Sequence, residues 1–187
     1  TGAPVPDGAD AIVMREDVEE HDGMIVLREA PAPGEHVRHA GEDVSRGSVV
    51  LEPGCGIGRF MALAPDGVTM LGIEAEPLSA RIARLLHPAH EIRAGLLERT
   101  SLPAASLDAA IGNVPFADIA LRHDGQAFSL HDYCLARAVE AVRPGGIVML
   151  LTSRYTLDKA DPSARDWLAG RADLLAAVRL PAGVFKD

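Results

Sequence analysis

The stretch "SVVLEPGCGIGRFM", residues 48–61, decides the fold. A short Val- and Leu-rich run stops at Glu52-Pro53, passes through three glycines at alternate positions, Gly54, Gly56 and Gly58, and resumes as an apolar run. This is the pattern of a buried strand entering a turn too sharp for side chains, with a helix predicted beyond it. Without a Cβ the backbone can bend tightly and a ligand can approach it closely. Taken alone, such a motif serves as readily for packing as for binding.

Working outward, strand and helix alternate. "GVTMLGIEAEP" (67–77) reads as a second strand, and "LSARIARLL" (78–86) carries apolar residues at helical spacing. "SLDAAIGNVPF" (106–116) is a third strand, "HDYCLARAVEAV" (131–142) a helix, and "GGIVMLLTSR" (145–154) a fully apolar strand announced by the breaker "RPGG". Alternation of this kind predicts an α/β fold, a Rossmann-like parallel sheet with helices on both faces and ligands at the carboxyl ends of the strands.

The chemistry-bearing residues fall at those strand ends. Glu74 closes the second strand 16 residues after Gly58, where its carboxylate could accept both hydroxyl hydrogens of a ribose. Glu52 and Pro53 precede the glycines. An acid there would repel a pyrophosphate but suits a cationic amino-acid group or a sulfonium, which favours S-adenosylmethionine over a dinucleotide.

The third strand ends in Gly112-Asn113-Val114-Pro115-Phe116. An amine on an aromatic base is a poor nucleophile because its lone pair is delocalised into the ring. The side-chain oxygen of Asn113 and the carbonyl of Val114, accepting its two N–H hydrogens, would localise that pair. Pro115 fixes the turn so that the Val114 carbonyl points outward, and Phe116 offers a face on which an extruded base can stack. In isolation the same residues also read as a plain turn beside a core ring.

Composition sets the outer bounds. The 187 residues carry a net charge of -9, which argues against a general polyanion binder, since binding nucleic acid rests largely on Lys and Arg meeting phosphates. Cys55 and Cys134 lie far apart without a CxxC or His/Cys grouping, so both are expected as free thiols, with no metal site. His36 and His39 form a close histidine pair without a partner acid at ligand spacing. No basic region followed by an apolar core opens the sequence, and no uninterrupted apolar run of about 18 residues occurs, so the expectation is a cytoplasmic protein with no membrane partner. His131 and Asp132 fall near a helix start, where Asp132 reads most simply as a capping or dipole partner. Ser153 and Tyr155 could line a base pocket or merely occupy a loop.

Residues 51–187 resemble the catalytic core of the DNA adenine amino-methyltransferases, in particular the branch within large helicase-associated phage and plasmid proteins. The phrases that carry the resemblance are "LEPGCGIG", "GIEAEPLSARIARLL", "IGNVPF", "HDYCLARAVEAVRPGGIVMLLTSRYTLDK" and "RADLLAAVRLPAGVFK", in that order. It implies that Glu52, Pro53, Gly54, Gly56, Gly58 and Glu74, with Asn113, bind S-adenosylmethionine. It implies further that Asn113, Val114, Pro115 and Phe116 hold the target adenine. Val114 stands where the wider superfamily commonly has Pro. The resemblance leads one to expect a segment closing over the methionine end of the cofactor, a final β-hairpin and a target-recognition region, none of which is seen here. DNA is therefore an expected partner through regions outside this sequence, within a helicase-containing parent.

Residues 1–50 differ in character. They carry 11 acids against 4 bases, whereas residues 51–187 carry 16 against 14, so a boundary near residue 50 is expected. "ADAIVMRED" and "GMIVLREA" read as β runs separated by the polar "VEEHDG", with prolines too frequent for helices. "TGAPVPDGADAIVM" and "PGEHVRHAGEDVSRGSVV" resemble the small β domain of the molybdopterin molybdenumtransferases. Three readings follow: a DNA adenine methyltransferase, a catalytically silent Rossmann-like module of a larger DNA-processing protein, and a part in molybdenum cofactor biosynthesis.

Overall fold

The computed structural model describes residues 5–39 and 41–181. The chain divides into two compact units, Thr1–Glu42 and Asp43–Asp187.

In the first unit, β1 (Val18–His21) and β2 (Met24–Leu27) form an antiparallel hairpin in which His21 pairs with Met24. The first strand falls on "VEEH", not on "ADAIVM" as the apolar content suggests. The turn explains the difference. Asp22 and Gly23 both have positive φ, 50° and 76°, so the two-residue Asp-Gly turn fixes which residues can pair, whatever their polarity. Residues 9–14 form no strand and are tied instead by Gly34 N–H to Asp10 O (2.7 Å) and Ile12 N–H to Glu35 O (2.9 Å).

The second unit is the predicted α/β domain. Its central sheet has five strands in the order β5-β4-β3-β6-β9, all pairs parallel: β3 (Val49–Pro53), β4 (Thr69–Glu74), β5 (Glu91–Ala94), β6 (Leu107–Asn113) and β9 (Val142–Leu151). Both faces are buried at the inner strands β3 and β4, because alternate residues of one strand feed two cores, whereas edge strand β9 leaves Met149 59% exposed. Val50, Met70 and Ala109 pack with Ala80 and Ala83 of α1 (Pro77–Leu86), while Leu51, Leu71 and Ala110 pack with Ala138 and Ala141 of α2 (Leu130–Ala141). Residues 43–48 belong with this unit: Val44 packs on the first core, and Gly47 N–H donates to Gly67 O at 2.7 Å. A hairpin, β7 (Ala120–His123) and β8 (Gln126–Ser129), leads into α2, and two short helices, α3 (Tyr155–Asp158) and α4 (Ser163–Ala169), follow β9.

The breaker "RPGG" does not precede β9 but lies inside it. The register shifts between Leu107, opposite Val142, and Ala109, opposite Ile147, so Arg143–Gly146 form an irregularity in the strand. Gly146 is required there because a Cβ would collide with the Asp108 carbonyl, and Arg143 Nε pins the bulge to Asp108 Oδ1 at 2.8 Å. No described helix is long and apolar enough to cross a membrane.

Candidate functional site

The glycine turn follows β3 as a left-handed series. Gly54, Gly56 and Gly58 have φ of 68°, 56° and 84°, a region costly for any residue with a Cβ. Ile73 O accepts from both Gly54 N–H (2.8 Å) and Cys55 N–H (3.0 Å), so the neighbouring strand sets the start of the turn. Around Gly56 nothing stands within 4 Å of where a Cβ would be. Gly54 differs: a Cβ there would meet Pro115 Cδ at 2.8 Å. The glycine turn and the Asn113–Phe116 turn therefore touch, at the carboxyl ends of adjacent strands β3 and β6.

Two carboxylates frame this junction. Glu74 sits at the end of β4, half-buried, with Oε2 accepting from Gly56 N–H and Oε1 from Glu76 N–H, both at 2.7 Å. It thereby braces the glycine turn, and each oxygen keeps a lone pair for a further donor. Glu52 is only 2% exposed, and its Oε2 has no hydrogen-bond partner. Burial pushes its carboxyl up to about 7, with N–H groups of Phe60 and Met61 pulling weakly the other way. A buried, incompletely bonded carboxylate beside an open glycine turn suits a cationic group. Pro53 is buried beneath Gly112, where a Cβ would meet Pro53 Cδ at 3.4 Å.

On the other strand, Asn113 is exposed and pairs with Leu151. Val114 is buried, and its N–H donates to Leu151 O at 3.2 Å. Phe116 is 65% exposed, unusual for a large ring, and stands edge-to-face with His131 at 4.8 Å between centroids.

His131, Asp132, Ser153 and Tyr155 gain partners that the sequence did not single out: Ser129, Lys159 and Arg154. Ser129 caps α2, its hydroxyl accepting from Asp132 N–H at 3.4 Å and donating to Asp132 Oδ2 at 2.6 Å. Lys159 Nζ pairs with the same Oδ2, so Asp132, 1% exposed, is more than a cap: it joins α2 to the segment after β9. His131 Nδ1 accepts from Ser153 N–H at 3.0 Å, so the ring that meets Phe116 is tied to the segment after β9. Tyr155 is engaged by its neighbour, Arg154 Nη2 donating to its hydroxyl at 3.2 Å. A Ser-x-x-Asp spacing at 129–132 was the available signal for the cap; nothing local marked Lys159.

Cys55 and Cys134 are free and buried, and burial pushes both thiols up to about 12, which leaves them unreactive. Among the described residues no group of three or more His, Cys, Asp or Glu is placed to hold a metal.

The family described as MoeA N-terminal region (domain I and II) matches residues 1–63. Molybdopterin molybdenumtransferase of Haemophilus influenzae is 49% identical over 55 residues, covering 29% of this chain and 14% of that protein. The enzyme of the same name from Staphylococcus epidermidis is 32% identical over 108 residues, covering 55% of this chain and 26% of that protein. The chain thus spans about a seventh of the first of these proteins and about a quarter of the second. Among solved structures, a TehB-like SAM-dependent methyltransferase from Corynebacterium glutamicum superposes with a TM-score of 0.43 and 20% identity, over 57% of this chain and 55% of that one.

Proposed function

We propose that the unit Asp43–Asp187 binds S-adenosylmethionine and transfers its methyl group to the exocyclic amine of an adenine in DNA, as part of a helicase-containing parent protein. The observation that carries this reading is the contact of Pro115 with Gly54, which sets a turn able to grip an amine against a turn able to cradle a ligand. Glu52 supports the fit of the cofactor: a buried carboxylate with an unpartnered oxygen gains a counter-charge from a cationic ligand. Gly54, Gly56 and Gly58 would let the ligand lie against backbone, and Glu74 would accept the ribose hydroxyls on its remaining lone pairs. The cofactor supplies an electrophilic methyl group.

The remaining work falls to the second turn. The oxygen of Asn113 and the carbonyl of Val114 accept the two N–H hydrogens of the amine and localise its lone pair. Pro115 holds the turn, and Phe116 stacks the base. The proton released from the amine passes to water, so no general base is needed. The test uses labelled S-adenosylmethionine with this chain fused to upstream and downstream segments of a related enzyme. Methyl label entering adenine, with Asn113→Ala slowing single-turnover transfer while cofactor binding persists, supports the reading. Equal rates for parent and variant remove Asn113 from catalysis.

A second reading is favoured by the family match over residues 1–63: the first unit serves molybdenum cofactor biosynthesis. A third, in which the second unit binds cofactor but is catalytically silent, is favoured by the net charge of -9, since duplex binding ordinarily uses a basic stripe. Cofactor binding without incorporation of label into DNA selects the third, and binding of molybdopterin instead selects the second.

A further inference from the structure

The first turn of α2 is held by more bonds than a helix start needs. Ser129 caps it, Asp132 is joined to Ser129 and Lys159, and His131 between them accepts from the Ser153 N–H. That last bond fixes the neutral imidazole with its proton on Nε2. Burial holds His131 below the ordinary histidine range, against the pull of the Asp132 carboxylate, so the neutral ring is the working form. His131 is 6% exposed, whereas the Phe116 ring that it meets at 71° is largely open to solvent. One ring is anchored from inside and supports the other, which faces outward.

We propose that His131 is a positioning residue that holds the Phe116 ring ready to stack an extruded adenine, transmitting to that ring the fixed positions of Ser153 and of the first turn of α2. This rests on the reading of Phe116 as the base-stacking ring. An exposed Phe on a turn would otherwise sample several rotamers, and an edge-to-face partner favours one of them by roughly two- to tenfold. The ring of His131, not its bond to Ser153, is the part that acts on Phe116.

Two substitutions separate these parts. His131→Phe keeps a ring against Phe116 and loses the acceptor for Ser153; His131→Asn keeps an acceptor near the Nδ1 position and loses the ring. The first readout is fluorine NMR of the full chain labelled with 4-fluorophenylalanine, with the Phe116 line assigned by its absence in Phe116→Tyr. The line should move toward the shift of the free amino acid in His131→Asn and stay displaced in His131→Phe. The second readout is fluorescence titration of the chain, fused to the same upstream and downstream segments as in the methylation test, with a single-stranded oligonucleotide containing 2-aminopurine, in the presence of S-adenosylhomocysteine. His131→Asn should bind roughly two- to tenfold more weakly, His131→Phe within about twofold of the parent, and Phe116→Ala at least as weakly as His131→Asn. Circular dichroism and binding of S-adenosylhomocysteine serve as folding controls. The opposite order, with the Asn variant like the parent and the Phe variant impaired, overturns the proposal and leaves His131 a helix anchor. A Phe116 line unmoved in His131→Asn also overturns it. If the parent does not bind the probe, or Phe116→Ala binds as the parent does, the stacking reading fails and the proposal with it.

Discussion

Replacing Glu52 by Gln should stabilise the protein and impair its ligand binding together. The carboxyl is 2% exposed and its Oε2 lacks a partner, and burial raises it from the ordinary 4.5 to about 7. A folded-state value raised above the unfolded one makes the carboxyl cost nothing below pH 4.5, where both states are protonated. Above 4.5 the unfolded chain ionises first, so stability falls as pH rises, until the folded carboxyl ionises near 7 and the penalty levels off. At about 1.4 kcal/mol for each pH unit, the interval amounts to about 3 kcal/mol. Gln keeps an acceptor for the N–H groups of Phe60 and Met61, and its amide stands in for the protonated carboxyl, so this penalty disappears. Thermal melts followed by circular dichroism should coincide for parent and variant near pH 4.5 and separate by roughly 6–12 °C in favour of Gln at pH 8. Other carboxylates titrate equally in both proteins and cancel. In the same variant S-adenosylmethionine affinity should fall about tenfold or more, since a cationic ligand loses its buried counter-charge. A difference in melting that does not grow between pH 5 and 8 would refute the assignment of a buried, unsatisfied charge to Glu52.

Three further outcomes follow from the geometry. Gly54→Ala should destabilise by about 2–4 kcal/mol in urea melts, more than Gly56→Ala at about 1–2, because both have positive φ but only the Gly54 Cβ would strike Pro115. Equal costs would show that the two turns do not touch. Glu74→Ala should weaken S-adenosylmethionine by about 1.5–3 kcal/mol in calorimetry, through loss of hydroxyl bonds and release of the Gly56 N–H; unchanged affinity in a folded variant removes Glu74 from the site. Lys159→Met should destabilise by about 2–4 kcal/mol, because it leaves the Asp132 carboxylate buried without its cation. Combining it with Asp132→Asn should recover part of that loss, and a double variant no better than Lys159→Met would show that the charge is not the cause.

What the sequence made legible was set by local constraint. The turn after β3 could be read because glycines at 54, 56 and 58 answer to backbone conformation, and the two-faced burial of β3 because an unbroken apolar run has few other homes. Where the reading slipped, a geometric rule outweighed composition. The Asp22-Gly23 turn put polar "VEEH" in a strand, and Gly146 let "RPGG" be absorbed as a bulge against Asp108. No helix could be read in "SRYTLDK" because α3 within it spans only Tyr155–Asp158, one turn with little periodicity to detect.

The candidate site was legible residue by residue but not as an assembly, and the reason lies in how it is held. Glu74 could be named from its place at a strand end, yet its tie to Gly56 depends on the parallel register of β3 and β4, which sets Pro53 opposite Ile73. That register also explains why Ile73 O can accept from both Gly54 and Cys55 and so bend the chain toward β6. Pro115 then occupies the space a Gly54 side chain would have filled, and Phe116 is carried outward against His131. Each step uses a residue whose neighbours lie far along the chain, so no window of sequence contains the contact. The glycine at 54 consequently answers to two demands, a left-handed backbone and room for Pro115, and only the first leaves a trace in the sequence around it.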